Sequence, residues 1–276
     1  MDDLSRLSIN QVTTRGQWNL AQAIEAYARH QVPGIGIFRD MLDDCGTQKA
    51  VGLIRDTGLE VASLCAGGRF AAADQSNWQS CIDDNRRAID DADKLGAQCL
   101  VLIGGGLPPG SKDLPGARAR YRDGVAEILD EATAAGVRLG IEPQHPMSAA
   151  DRGCISTLAQ ANDICDALGD KAGDTVGIVF DLYHLWWEPG VEEQIARARG
   201  RFCLFHLNDW LSPTDATRNQ RGMMGDGVID IPRLRGLIED AGYDGFNEVE
   251  IMNSELWKMD PDDLVRLCIE RYRSVV

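Results

Sequence analysis

At 276 residues, 44% of them hydrophobic, the chain is long enough to bury a substantial core, and 43 acidic against 28 basic residues leave a formal net charge of −15. That balance argues against a nucleic-acid backbone as partner, which needs clustered Lys and Arg, and against an anionic membrane surface. Eight cysteines without a CxxC pair argue against a zinc ribbon.

Several of those cysteines, such as Cys99 in QCLVLI and Cys203 in FCLFHL, lie in apolar runs and read as small buried hydrophobes. The N-terminus MDDLSRLSIN lacks a basic region followed by an apolar stretch, and no apolar run reaches transmembrane length. The expectation is a reducing, cytoplasmic setting without membrane or nucleic-acid partners.

Short apolar runs alternate with longer amphipathic stretches. A strand is predicted at 7–12, a helix at 17–29, a strand at 34–38, a helix at 48–57, a strand at 60–65 and a long helix at 77–95, stopped by Gly96. A strand at 98–103 leads into the loop GGGLPPGSK, then a helix at 117–135 closed by Gly136. The second half continues with strand 138–141, helix 157–168, strand 176–180, helix 191–198 and strand 202–205. A polar loop with Gly225-Asp226-Gly227 precedes a helix that carries Pro232 in its first turn, where proline is tolerated. A strand at 246–251 and a helix at 261–273 end the chain.

Eight strand–helix units without a Gly-, Pro- or Ser-rich linker predict an α/β fold: a (β/α)8 TIM barrel forming a single domain over 1–276. A doubly wound open sheet would normally carry a glycine-rich turn after its first strand, where this chain has TTRGQ.

Active sites of such barrels lie at the C-terminal strand ends. There the fifth strand leads to Glu142, Gln144 and His145, and the sixth to Asp181 and His184. The seventh leads to His206, Asn208 and Asp209, and the eighth to Glu248 and Glu250, two apart on one strand face. Three of the four histidines fall at these ends; His30 reads as a surface residue. Singly, Glu142 could cap a helix, Asp181 pair with an arginine, and His206 bond a carbonyl. Together, Glu142, Asp181, His206 and Glu250 point to one shared divalent cation. Three carboxylates and an imidazole make an oxygen-rich set that suits Mn2+ first or Mg2+, with Co2+ and Zn2+ also compatible.

IEPQHP, FDLYHLWWEP, FHLND and GYDGFNEVEI resemble motifs of the xylose isomerase-like TIM barrels, which include the sugar (phosphate) isomerase/epimerase family and AP endonuclease family 2. The resemblance spans nearly the whole chain and is strongest from 138 to 252. It implies Glu142, Asp181, His206 and Glu250 as metal ligands, with Glu250 rather than Glu248 at the motif glutamate. It implies that His184, in the DxxH position, contacts substrate. The endonucleases hold extra metals with a DRH motif; here the aligned residues are Asn219-Gln220-Arg221, so one metal is expected.

The activity so implied is that of a metal-dependent sugar isomerase or epimerase. Glu142 and Glu250 serve as base and acid on either side of a metal-stabilised enediolate. Arg221 takes a hydroxyl or an anionic group, or else stands exposed in its loop. His145 and Trp186 are further expected substrate contacts, with Trp187, Trp210 and Trp257 as walls or loop packing. Asp209 either orients His206 or ties a loop. Gly104-Gly105-Gly106 offers a weak phosphate cradle, and the leaning is to an unphosphorylated sugar or keto-sugar. Two other readings keep the site: a lyase or hydrolase on a 3-keto-glycoside or polyol, and a non-catalytic sugar-binding barrel. The family resemblance also implies a homo-oligomer, a dimer or tetramer.

Overall fold

Eight parallel strands close on themselves in a computed structural model that describes residues 3–74, 76–214 and 219–276. The strands are β1 (Leu7–Asn10), β2 (Gly34–Phe38), β3 (Glu60–Gly68), β4 (Cys99–Ile103), β5 (Arg138–Glu142), β6 (Val176–Asp181) and β7 (Phe202–Leu207). Two short strands, β8 (Asp209–Trp210) and β9 (Arg221–Gly222), form an antiparallel pair at the rim. β10 (Asn247–Val249) completes the barrel, whose order is β1-β10-β7-β6-β5-β4-β3-β2.

The helices are α1 (Leu20–Arg29), α2 (Arg39–Cys45), α3 (Thr47–Thr57), α4 (Trp78–Leu95), α5 (Leu114–Glu127), α6 (Leu129–Ala135), α7 (Leu158–Leu168), α8 (Leu182–Leu185), α9 (Val191–Arg197), α10 (Ile231–Asp240) and α11 (Pro261–Val275). The main apolar core fills the shell between strands and helices, with Ile9, Ile35, Leu100, Ile141 and Phe180 meeting Leu20, Ile82, Tyr121 and Leu264. A smaller plug of Cys65, Cys99, Val101, Val179, Cys203, Leu204 and Phe246 forms a second apolar cluster. Strands buried on both faces explain why the sequence shows continuous apolar runs rather than alternation.

The expected units are present, and the departures from the expected bounds have local causes. β1 stops at Asn10 because its side chain accepts the Val12 amide and turns the chain into a 3-10 turn over Gln11–Thr14. α1 begins at Leu20 rather than 17, set by a reciprocal cap between Asn19 and Gln22. The helix expected at 117–135 is two helices, α5 and α6, that meet at Ile128. α2, α8 and the β8–β9 pair were not expected; each is too short to show a period in sequence. His30, expected at the surface, is partly buried, its Nε2 2.6 Å from Asp262 Oδ1. Among the described residues no helix is long and apolar enough to cross a membrane.

Candidate metal and substrate site

Strand parity places Glu142, Asp181 and His206 at the C-terminal ends of β5, β6 and β7, and Glu250 just past β10. One donor atom from each of the four lies within 4.8 Å of the others, and all four side chains are buried. Donors bound about 2.1 Å from one ion have nearly that spread. Three carboxylates and an imidazole that meet deep in a barrel offer an oxygen-rich donor set that fits a divalent cation.

His206 presents Nδ1 to the group. That atom lies 3.0 Å from Glu142 Oε1, 3.5 Å from Asp181 Oδ2 and 3.4 Å from Glu250 Oε2. Burial alone would lower its pKa, but Glu250 and the other surrounding carboxylates raise it well above the usual histidine value. Burial would raise the Asp181 carboxyl; Arg221, with His184 and His206, holds it well below the usual range. Burial, reinforced by Glu142 and Asp181, pushes Glu250 up to about 7 against the opposing pull of His206 and Arg221.

Neighbouring side chains fix the carboxylates. Gln144 Nε2 donates to Glu142 Oε2 at 2.6 Å, and Asn208 Nδ2 donates to Asp181 Oδ1 at 2.9 Å. The Tyr183 amide also donates to Asp181 Oδ1, at 2.8 Å. Arg221 is not an exposed loop arginine. The β8–β9 pair carries it inward, and Nη1 donates to Glu250 Oε2 at 2.6 Å and to Asp181 Oδ2 at 2.8 Å. Its guanidinium lies 5.1 Å from the Tyr183 ring centroid, a cation–π distance.

The His145 amide donates to His184 Nδ1 at 3.1 Å. Burial lowers the His184 pKa to about 4, which keeps it neutral at pH 7. Nε2 also lies in hydrogen-bond contact with Arg221 Nη2, at 3.2 Å, where the guanidinium can only donate.

These groups open on a cavity of about 530 Å3 lined by Glu142, Gln144, His184, Arg221 and Glu250 on one side and by Phe38, Cys65 and Arg69 among others on the far side. His145 and Trp186 are not in that lining. His145 stacks on Trp210 with ring centroids 4.7 Å apart, and Trp186 lies 5.9 Å from Trp210. Trp187 Nε1 donates to the His184 carbonyl and Trp257 Nε1 to the Val12 carbonyl, so both brace backbone.

Two further expectations change. Asp209 does not orient His206: its carboxylate accepts the amides of Trp210, Gly225, Gly227 and Ile229 at 2.8–3.0 Å and ties the loop after β9 to β8. Gly104, Gly105 and Gly106 do not line the cavity; side chains there would overlap Cys154, Arg69 and Asp151, so the run serves close packing of three segments. Sequence reasoning overlooked Glu188, whose carboxylate caps the start of α7 at the amides of Leu158 and Ala159. It also overlooked the layer below the quartet, where Glu248 is bonded by Ser8, Asn10 and Ser63. The alternation in NEVEI points both glutamates inward; only depth in the barrel separates their surroundings.

A closed (β/α)8 barrel with a buried cluster of three carboxylates and a histidine at four successive strand ends defines the class of protein. The family model of the xylose isomerase-like TIM barrel matches residues 21–274, and the chain belongs to that family. It is 24% identical to inosose isomerase of Bacillus velezensis over 284 residues, 98% of this chain and 97% of the relative. A crystal structure of a protein from Sinorhizobium meliloti 1021 superposes with a TM-score of 0.95 at 46% identity, covering 99% of both chains. The IolI protein, solved with a bound zinc atom, shares the fold at a TM-score of 0.85 and 20% identity, covering 98% of both.

Proposed function

We propose that the chain is a divalent-metal-dependent isomerase or epimerase of a sugar or a related cyclic polyol ketone. The observation that carries this reading is the convergence of Glu142, Asp181, His206 and Glu250 within 4.8 Å, with two of those carboxylates also lining the cavity. Kinship with the family and with an inosose isomerase supports the same class of substrate.

Glu142, Asp181, His206 and Glu250 would hold the cation. An ion in that place supplies Lewis-acid stabilisation of the negative charge that builds on the carbonyl oxygen as the neighbouring carbon loses its proton. The hard, oxygen-rich donors favour Mn2+, and the zinc in IolI shows what a relative of this fold can hold.

Glu142 and Glu250 border the cavity from β5 and from the end of β10, so a substrate carbon between them meets a carboxylate on either side. One takes the proton and the other returns it. Return to the opposite face of the same carbon epimerises; return to the neighbouring carbon isomerises. His184 and Arg221, paired through Nε2 and Nη2 at 3.2 Å, both line the cavity and would orient a substrate oxygen, fixing which carbon faces the carboxylates.

The test is a panel of ketoses, aldoses and keto-cyclitols in D2O with Mn2+, followed by NMR. Deuterium uptake at carbon beside a carbonyl, with mass otherwise conserved, is the expected result. A released fragment or lost water would show elimination instead, and no exchange on any compound would remove the proton-transfer reading.

A further inference from the structure

Elsewhere in the chain arginines have partners: Arg29, Arg86 and Arg197 pair with carboxylates, and Arg118 and Arg199 donate to backbone carbonyls. Arg69 and Arg152 differ. Among the described residues neither side chain has a hydrogen bond or an ion pair, and both line the cavity that opens on the quartet. The acidic groups of that outer wall are mostly engaged. Arg15 holds Asp40 at 2.7 Å, and Arg39 holds both oxygens of Asp84 at 2.8 and 3.0 Å. Asp84 also feels the charge of Arg69, but has no oxygen left for it. Asp43 is the remaining carboxylate of the wall.

The backbone brings the two arginines to one rim. Arg69 follows β3 and Arg152 follows β5, and between these strands stands β4, whose loop begins Gly104-Gly105-Gly106. A side chain at Gly105 would overlap the Arg69 backbone, and one at Gly106 the Asp151 backbone. The bare run lets the flanking loops close in from either side. They are pinned there: the Arg69 amide donates to the Ile103 carbonyl at 2.8 Å, the Leu107 amide to the Ala150 carbonyl at 2.8 Å and the Arg152 amide to the Ser148 carbonyl at 2.9 Å. Arg69 itself has φ +63°, a left-handed backbone that favours glycine. An arginine there carries a conformational cost that its side chain offsets by no hydrogen bond or ion pair among the described residues.

We propose that Arg69 and Arg152 bind an anionic group on the substrate, a carboxylate or a phosphate, so that the compound turned over is an acidic sugar or polyol ketone. The inference rests on the proton-transfer reading above and names the substrate class for it. A guanidinium fork matches the paired oxygens of either anion. The cavity, about 530 Å3, falls within the range that takes a small molecule, about 300–1,000 Å3. The carbonyl end then meets Glu142 and Glu250 while the charged end reaches the arginines across it. On a chain of net charge −15 an anion is repelled overall, so local unpaired cations decide where it can enter.

The experiment titrates the Mn2+-loaded chain by calorimetry with three probes that share a ketose body: D-fructose, D-fructuronate and D-fructose 6-phosphate. Deuterium exchange into each is followed by NMR. Arg69→Gly, Arg152→Gln and the double variant are compared with wild type, each first shown to be folded by circular dichroism. Arg69→Gly keeps the backbone its position already favours and is expected to melt no lower than wild type. Wild type is expected to bind at least one anionic probe about ten-fold or more tighter than D-fructose, the tighter of the two identifying the group. Each single variant is expected to lose most of that preference, and the double variant all of it; the singles carry the test should the double variant not fold. Equal or absent binding of the three probes by wild type overturns the proposal. So does an anionic preference that survives both substitutions, which would leave the charge to the metal. A preference lost with the arginines, but with no exchange into any probe, upholds the anion site and removes the proton-transfer reading instead.

Discussion

Arg221 Nη1 donates to Glu250 Oε2 at 2.6 Å, so a cation from a rim hairpin grips a carboxylate proposed both to ligate and to transfer protons. The same nitrogen reaches Asp181 Oδ2 at 2.8 Å. Replacement by Arg221→Met leaves the acidic cluster without its guanidinium. Breaking a buried pair of this kind costs about 3–5 kcal/mol. The expected outcome is a chelator-treated variant that melts well below wild type, a larger rise in melting temperature on adding Mn2+ than wild type shows, and turnover reduced at least about a hundred-fold. Equal melting temperatures with and without Arg221 would contradict the pairing.

Glu142→Gln and Glu250→Gln each keep the shape of the side chain but lose its capacity to take a proton. Loss of a general acid or base costs about 10²–10⁴-fold in rate. Both variants are expected to fold, by circular dichroism, and to show no deuterium exchange into a substrate that wild type exchanges. Near-normal exchange in either would remove the two-carboxylate mechanism.

Cation binding should release protons. His206 is held protonated by its carboxylate neighbours, and a ligand must give up the Nδ1 proton. Its pKa is raised, so the proton to be displaced is present through neutral pH, and affinity climbs as pH rises. Below about 7 a proton on Glu250 adds to the competition and steepens the dependence. Calorimetry in buffers of different ionisation enthalpy is expected to show about one proton released per ion above pH 7 and more below it. Release of none would place the ion elsewhere.

Asp209 holds four loop amides and touches none of the proposed ligands in the described contacts. Hydrogen bonds to a charged group are worth about 1.5–3 kcal/mol each, so Asp209→Ala is expected to lower stability by at least about 3 kcal/mol in urea unfolding. Metal affinity at a temperature where the variant is folded should stay within two-fold of wild type. A selective loss of affinity would restore the link to His206.

The barrel was readable because strands buried on both faces write unbroken apolar runs and helices end at Gly96 and Gly136, both in the left-handed conformation. The quartet was readable because Glu142, Asp181, His206 and Glu250 interrupt or follow such runs at the same point. Arg221 was not, since its place depends on a two-residue pairing with Trp210 that has no period. Glu248 was not, since its partners Ser8, Asn10 and Ser63 come together only when β10 and β3 flank β1 and β2 in the closed sheet. The break at Ile128 shows how a uniformly helical run can conceal a joint between α5 and α6.

The most direct measurement is the number of ions held. The chelated chain is reloaded with Mn2+, dialysed to equilibrium and analysed for metal, beside Asp181→Ala and His206→Ala. One ion per chain in wild type, with none retained by either variant, is the predicted result. Two or three ions per chain, or one ion that survives loss of Asp181 and of His206, would contradict a single cation held by these four side chains.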